Sequence, residues 1–270
     1  QPPLSRAVIV DVSHGDALGE LDRPTWADLA RNEGALVFAD VGWDPTGVWS
    51  PTVLDKLAYC HAFMPNATEA MAYTRTDTAQ DALYSLADRV PLAVVTNGAE
   101  GALAIDATTG EEARVPALRV AALDPTGAGD VFGAGLVVGT LAGWSLSNRL
   151  AFATWCSALA GPQFGGSLAA PGWGDIADWW HDVRDAEDSS SYRCSLRRRY
   201  AFLEEIVPTV PVGAVRRAAA TIARQADVAE APCLRRMPIT TVADALPTIT
   251  GGSRSCCPSP LPSVPLRSSA

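Results

Sequence analysis

Residues 123–132 read Leu123-Asp124-Pro125-Thr126-Gly127-Ala128-Gly129-Asp130-Val131-Phe132, a strand end running through a glycine-rich turn into an apolar helix. The backbone N–H groups of a first helical turn have no partners inside the helix and lie at the positive end of its dipole, so Gly127 to Asp130 form a natural cradle for an anion. Small residues let a phosphate approach that backbone. An aspartate in the same turn is repelled by a bound phosphate unless it has work to do, and a general base aimed at a substrate hydroxyl would be such work. Two readings stay open on these residues alone. In the plainer one, Asp130 is a first-turn helix residue and the glycines only permit close packing.

Upstream of this turn, short apolar runs alternate with helix-like stretches, the pattern of parallel strands joined by crossover helices. The runs at residues 7–12 (AVIVDV), 35–40 (ALVFAD), 61–64 (HAFM) and 91–96 (PLAVVT) predict strands covered on both faces. Residues 24–33, 51–59 and 78–89 predict the covering helices, the first two opening on Pro24 and Pro51. Residues 101–106 and 114–120 read as two further strands joined through Thr108-Thr109-Gly110. From Ala128 to Gly143 the chain is apolar all round and rich in small residues, as a buried helix requires. Residues 147–159 predict a second apolar helix with Ser147 as its N-cap, and helical patterns continue at 175–184, 194–206 and 212–226. The stretch from 231 to 270 is rich in Pro and Ser and predicts a disordered tail after a domain spanning 1–230.

Composition narrows the class. The 270 residues are 48% hydrophobic and 19% charged, enough for a full core. A net charge of -9 argues against a general nucleic-acid binder. No apolar run approaches the roughly 20 residues of a membrane span, and the first twelve residues do not read as a signal peptide. Six cysteines without a CxxC pair fit reduced thiols and a cytoplasmic setting. The start at Gln1 reads as a fragment or a processed chain. A Walker A loop is excluded because the lone lysine, Lys56, lies in LDKLA, and no GxGxxG follows the first strand. His14, His61 and His181 lack metal-ligand spacing, and Trp179-Trp180 reads as packing.

The string D-x-T-G-A-G-D-x-F from Asp124 to Phe132 resembles the second signature of the ribokinase/PfkB family of carbohydrate kinases, departing from it at Pro125, where many members carry Thr. The resemblance implies a three-layer α/β/α sandwich with a mostly parallel central sheet. It implies ATP-dependent phosphorylation of an alcohol group on a sugar or nucleoside, with Asp130 as catalytic base and Gly127, Ala128 and Gly129 completing the anion hole after Thr126. Asn66-Ala67-Thr68-Glu69 resembles the family's N-x-x-E motif, which implies that Asn66 and Glu69 place Mg²⁺ and phosphate largely through water. Taken alone the tetrapeptide is equally a capping box. Thr96, Gly98 and Gly101 match a T-x-G-x-x-G segment that lies along the nucleotide in the family, although a hairpin turn uses the same glycines. Residues 161–166 (GPQFGG) match the segment that closes the adenine pocket and, in many members, a monovalent-cation site such as K⁺ beside the Asp that is Asp124 here.

The resemblance runs from about residue 7 to 185 and begins in the middle of the family fold, so the N-terminal part, with its sugar-contacting residues and small β lid, is expected to be missing. Residues 39–44 (ADVGWD) also lack the usual Asn and Arg of the sugar-side signature. The alternative function is therefore a non-catalytic nucleotide-binding fragment of such a kinase. Neither a nucleic-acid nor a membrane partner is expected, and self-association into a homodimer is left open.

Overall fold

A computed structural model describes residues 4–13, 25–120, 126–161, 169–188 and 190–207, all within one compact unit, Gln1–Asp227. The predicted helix at 212–226, the tail at 231–270, His14, Asp124 and residues 162–166 lie outside the described residues. No described helix is long and apolar enough to cross a membrane.

Six strands form one sheet in sequence order: β1 (Ala7–Asp11), β2 (Leu36–Asp40), β3 (Ala62–Phe63), β4 (Leu92–Thr96), β5 (Ala102–Asp106) and β6 (Glu111–Val115). The first four run parallel, and β5 and β6 return antiparallel. Helices cover both faces. On one side lie α1 (Trp26–Asn32), α2 (Thr52–Asp55), α3 (Ala67–Thr74) and α4 (Ala79–Ala87), sharing a core with Val10, Val37, Ala39, Phe63, Ala93 and Val95. On the other lie α5 (Ala128–Leu141), α6 (Leu146–Ala160), α7 (Trp173–Asp185), α8 (Ser191–Tyr200) and α9 (Leu203–Ile206), packed on Phe38, Ala62, Leu92, Val94 and Ala104. Alternate residues of β4 therefore serve opposite cores, which is why its sequence shows an unbroken apolar run. The expected three-layer sandwich with a mostly parallel sheet is the fold observed.

Several boundaries differ from expectation. The last strand occupies 111–115, not 114–120: Gly110, with φ 75°, closes a tight turn that sets Glu111 opposite Asp106, and Pro116, which has no N–H, ends the ladder. Helix α6 is capped by Ser145, whose hydroxyl accepts the Asn148 N–H at 3.3 Å, so Ser147 falls inside its first turn. Residues 51–59 divide into α2 and a 3₁₀ turn at Lys56–Tyr59. The single helix expected over 194–206 is two, α8 and α9, with Ala201 and Phe202 between them.

Parallel strands send their carboxyl ends to one edge, where ligands of open α/β sheets bind. That edge carries Asp11 at the end of β1, Asp40 at the end of β2 and Thr96 at the end of β4. The ladder gains one further rung where the Thr96 N–H donates to the Pro65 carbonyl at 3.1 Å, beside an isolated bridge between Asn66 and Thr96.

Candidate active site

The turn into α5 is built around Gly127, the N-cap, whose φ of 77° lies in the left-handed region that a side chain disfavours. Helices α1, α3, α4, α6 and α8 are each capped by a Thr, Asn or Ser side chain, whereas the N-caps of α2, α5, α7 and α9 make no side-chain cap hydrogen bond, and that of α5 is a glycine. The glycines of α5 divide into two kinds. A Cβ on Gly135 would stand 2.9 Å from the Ala153 Cα, and one on Gly139 3.0 Å from the Trp144 ring, so these glycines let α6 and its approach pack closely. A Cβ on Gly129 meets nothing within 4 Å. Packing therefore explains Gly135 and Gly139 and leaves Gly129 unexplained: the first turn of α5 opens onto space.

That space is two cavities. The smaller, about 230 Å³, is lined by Asp40, Asn66, Glu69, Thr96, Gly127, Gly129 and Asp130, and among the described residues by no lysine or arginine. The larger, about 460 Å³, is mostly apolar, with Gly98, Gly101, Ala117, Leu118, Ala128 and Thr154 in its wall. Thr96, Gly129 and Phe132 belong to both, so the cavities meet at the start of α5. Of the sequence-predicted residues, Asn66, Glu69, Gly127 and Asp130 face the smaller cavity, Gly98, Gly101 and Ala128 the larger, and Thr96 and Gly129 both. Thr126 is exposed just ahead of the turn and lines neither. Gly101 has a structural duty as well: its φ is 99°, and a Cβ there would lie 1.9 Å from the Val115 carbonyl oxygen.

Asn66 and Glu69 form a complete capping box. The Asn66 Oδ1 accepts the Glu69 N–H at 3.0 Å, and a Glu69 carboxylate oxygen accepts the Asn66 N–H at 2.9 Å. The box fixes the Glu69 carboxyl in a buried position at the cavity edge. Burial pushes its pKa up, against the pull of the Asn66 hydrogen bonds. Asp40 is pushed further, to about 6, first by burial and then by the neighbouring carboxylates of Glu69, Asp130 and Asp11, while the Val41 N–H at 2.8 Å opposes the shift.

Sequence reasoning passed over Asp40, noting only that the residues after it departed from the family's sugar-side pattern. The signal that could have found it is its place at the carboxyl end of a doubly covered parallel strand. Among the described residues no three His, Cys, Asp or Glu side chains converge closely enough to hold a metal by themselves. One carboxylate with one amide still suits a hard cation that keeps its waters and takes its remaining ligands from a phosphate. The carboxylates crowded on this cavity, with no basic side chain among the described residues of its lining, suit such a cation.

Residues 13–171 match the model of the pfkB family carbohydrate kinases. The chain belongs to that family. Solved structures similar to this pfkB chain include an aminoimidazole riboside kinase from Salmonella enterica, complexed with aminoimidazole riboside and an ATP analog, at 32% identity over 52% of this chain and 50% of that one, with a TM-score of 0.45. A fructokinase double mutant from Vibrio cholerae O395, in a form with fructose, ADP and potassium ion bound, is 28% identical over 53% and 50%, with a TM-score of 0.45. A ribokinase from Thermotoga maritima is 22% identical over 54% and 48%, with a TM-score of 0.46. The chain thus spans about half the length of the solved structures it matches.

Proposed function

We propose that this pfkB chain carries the catalytic half of an ATP-dependent kinase that phosphorylates an alcohol group of a sugar or nucleoside. The observation that carries the reading is the meeting of two cavities at a helix start whose N-cap is Gly127, with Gly129 open to both and Asp130 facing only the smaller. ATP seats its base in the larger, apolar cavity beside Gly98 and Gly101, and its phosphates reach the first turn of α5. The acceptor hydroxyl enters the smaller cavity. As its oxygen attacks the γ-phosphorus and the bond to the β-phosphate oxygen breaks, the hydroxyl proton passes to the Asp130 carboxylate. The N–H groups of Gly127 to Asp130 hold charge on the transferring group without reorganising. Asn66 and Glu69 would hold Mg²⁺, which supplies charge neutralisation between the phosphates and the acidic cavity. A K⁺ site at Asp124 belongs to the same proposal.

The test is Asp130→Asn. The substitution keeps volume and helix start, so the fold remains, and turnover falls about 10²- to 10⁴-fold in an ATP-consumption screen over sugars and nucleosides; near-normal turnover overturns the assignment. A second reading is a nucleotide-binding unit without turnover. Binding of Mg-ATP with no turnover on any acceptor would select it.

A further inference from the structure

Resting on the nucleotide-side reading above, we infer that α8 is a positioning element for the nucleotide: Tyr192 and Arg199 fix the backbone of residues 116–120, which forms a wall of the larger cavity. Ala117, Leu118 and Val120 line that cavity, yet residues 116–120 belong to no helix or strand. A coil at a cavity wall needs its backbone groups satisfied from elsewhere if it is to hold one shape. Among the described residues, two long-range hydrogen bonds tie it to α8. The Arg119 N–H donates to the Tyr192 hydroxyl at 3.2 Å, and the Arg199 Nη1 donates to the Pro116 carbonyl at 3.1 Å. The Arg119 guanidinium also lies over the Tyr192 ring, 5.1 Å from its centroid.

Helix α8 is itself anchored. Leu196 and Tyr200 are buried in the core shared with α5 and α6, and Arg197 donates to the Val183 carbonyl at the end of α7. A rigid helix therefore grips the coil at its first and fourth residues, with Leu118, 8% exposed, pressed into the core between them. The family match ends at residue 171, before α8 begins, so this grip is made by a part of the chain outside the matched region.

The experiment is calorimetric titration of the full chain with ADP and Mg²⁺, for wild type, Tyr192→Phe, Arg199→Gln, Arg199→Lys and Arg198→Gln. Tyr192→Phe keeps the ring and removes only the acceptor; Arg199→Lys keeps a donor; Arg198 is an exposed neighbour on the same helix. Loss of one hydrogen bond to the wall weakens Kd roughly 3- to 10-fold in Tyr192→Phe and Arg199→Gln, with melting temperatures within about 4 °C of wild type. Arg199→Lys restores most of the affinity, and Arg198→Gln binds as wild type. Wild-type affinity in both Tyr192→Phe and Arg199→Gln overturns the inference while leaving the nucleotide reading intact. Absence of binding by the wild-type chain overturns that reading and this inference with it.

Discussion

At the residue scale, Gly129 separates packing from chemistry. Its Cβ position is open, so Gly129→Ala leaves the fold intact and, by raising helix propensity, stabilises it by up to about 1 kcal/mol. On the proposed reading the added methyl enters the space given to the phosphates, and turnover falls at least roughly tenfold. Thermal melting and turnover measured on one preparation check both halves; a variant equally active and stable would return Gly129 to an ordinary helix residue. Asp40 gives the second prediction. Its carboxyl is harder to ionise in the folded chain than in the unfolded one, so it contributes nothing adverse below about pH 4, and stability is lost as pH rises towards 6. Asp40→Asn removes that loss. Denaturant melts at pH 4.5 and pH 7.5 would show the variant gaining up to about 3 kcal/mol at the higher pH and about 1 kcal/mol at the lower. The reverse sign would mean that Asp40 is held as an anion by the fold.

At the scale of elements, α5 and α6 approach closely because Gly135 offers no side chain to Ala153. Gly135→Ala forces the helices apart and destabilises the chain by about 1 to 3 kcal/mol, read as a lowered denaturant midpoint, whereas Gly129→Ala six residues earlier does not. This contrast also marks what the sequence could show. The apolar strands were legible because burial on both faces leaves no polar residue to obscure them, as in Leu92 to Val95. The small-residue texture of α5 was legible too, but not which glycine serves packing and which the cavity, since that depends on a residue of α6, Ala153, 18 positions beyond Gly135. The position of β6 was misread because Arg114 to Val120 looks as strand-like as Glu111 to Val115, and only the turn at Gly110 and the block at Pro116 fix the register. The role of α8 was invisible for the same reason: Tyr192 meets Arg119 across 73 residues.

At the scale of the whole molecule, the chain carries a net charge of -9 and directs Asp40, Glu69 and Asp130 at one small cavity with no basic side chain among the described residues of its lining. A polyphosphate can settle there only if its charge is compensated. Nucleotide binding should therefore depend on a divalent cation, with Kd rising at least roughly tenfold when EDTA replaces Mg²⁺ in the titration; undiminished affinity for free ATP would show that the α5 backbone suffices. The last rung of the sheet has a consequence of another kind. The Thr96 N–H is held by the Pro65 carbonyl at the wall common to both cavities, where β4 leaves the sheet and α3 begins. A rung at the end of a ladder frays more readily than one in its middle. Its amide would thus exchange with deuterated solvent faster than those of Val94 or Val95, and slow when either cavity is filled, giving a single reporter for the occupancy of two compartments.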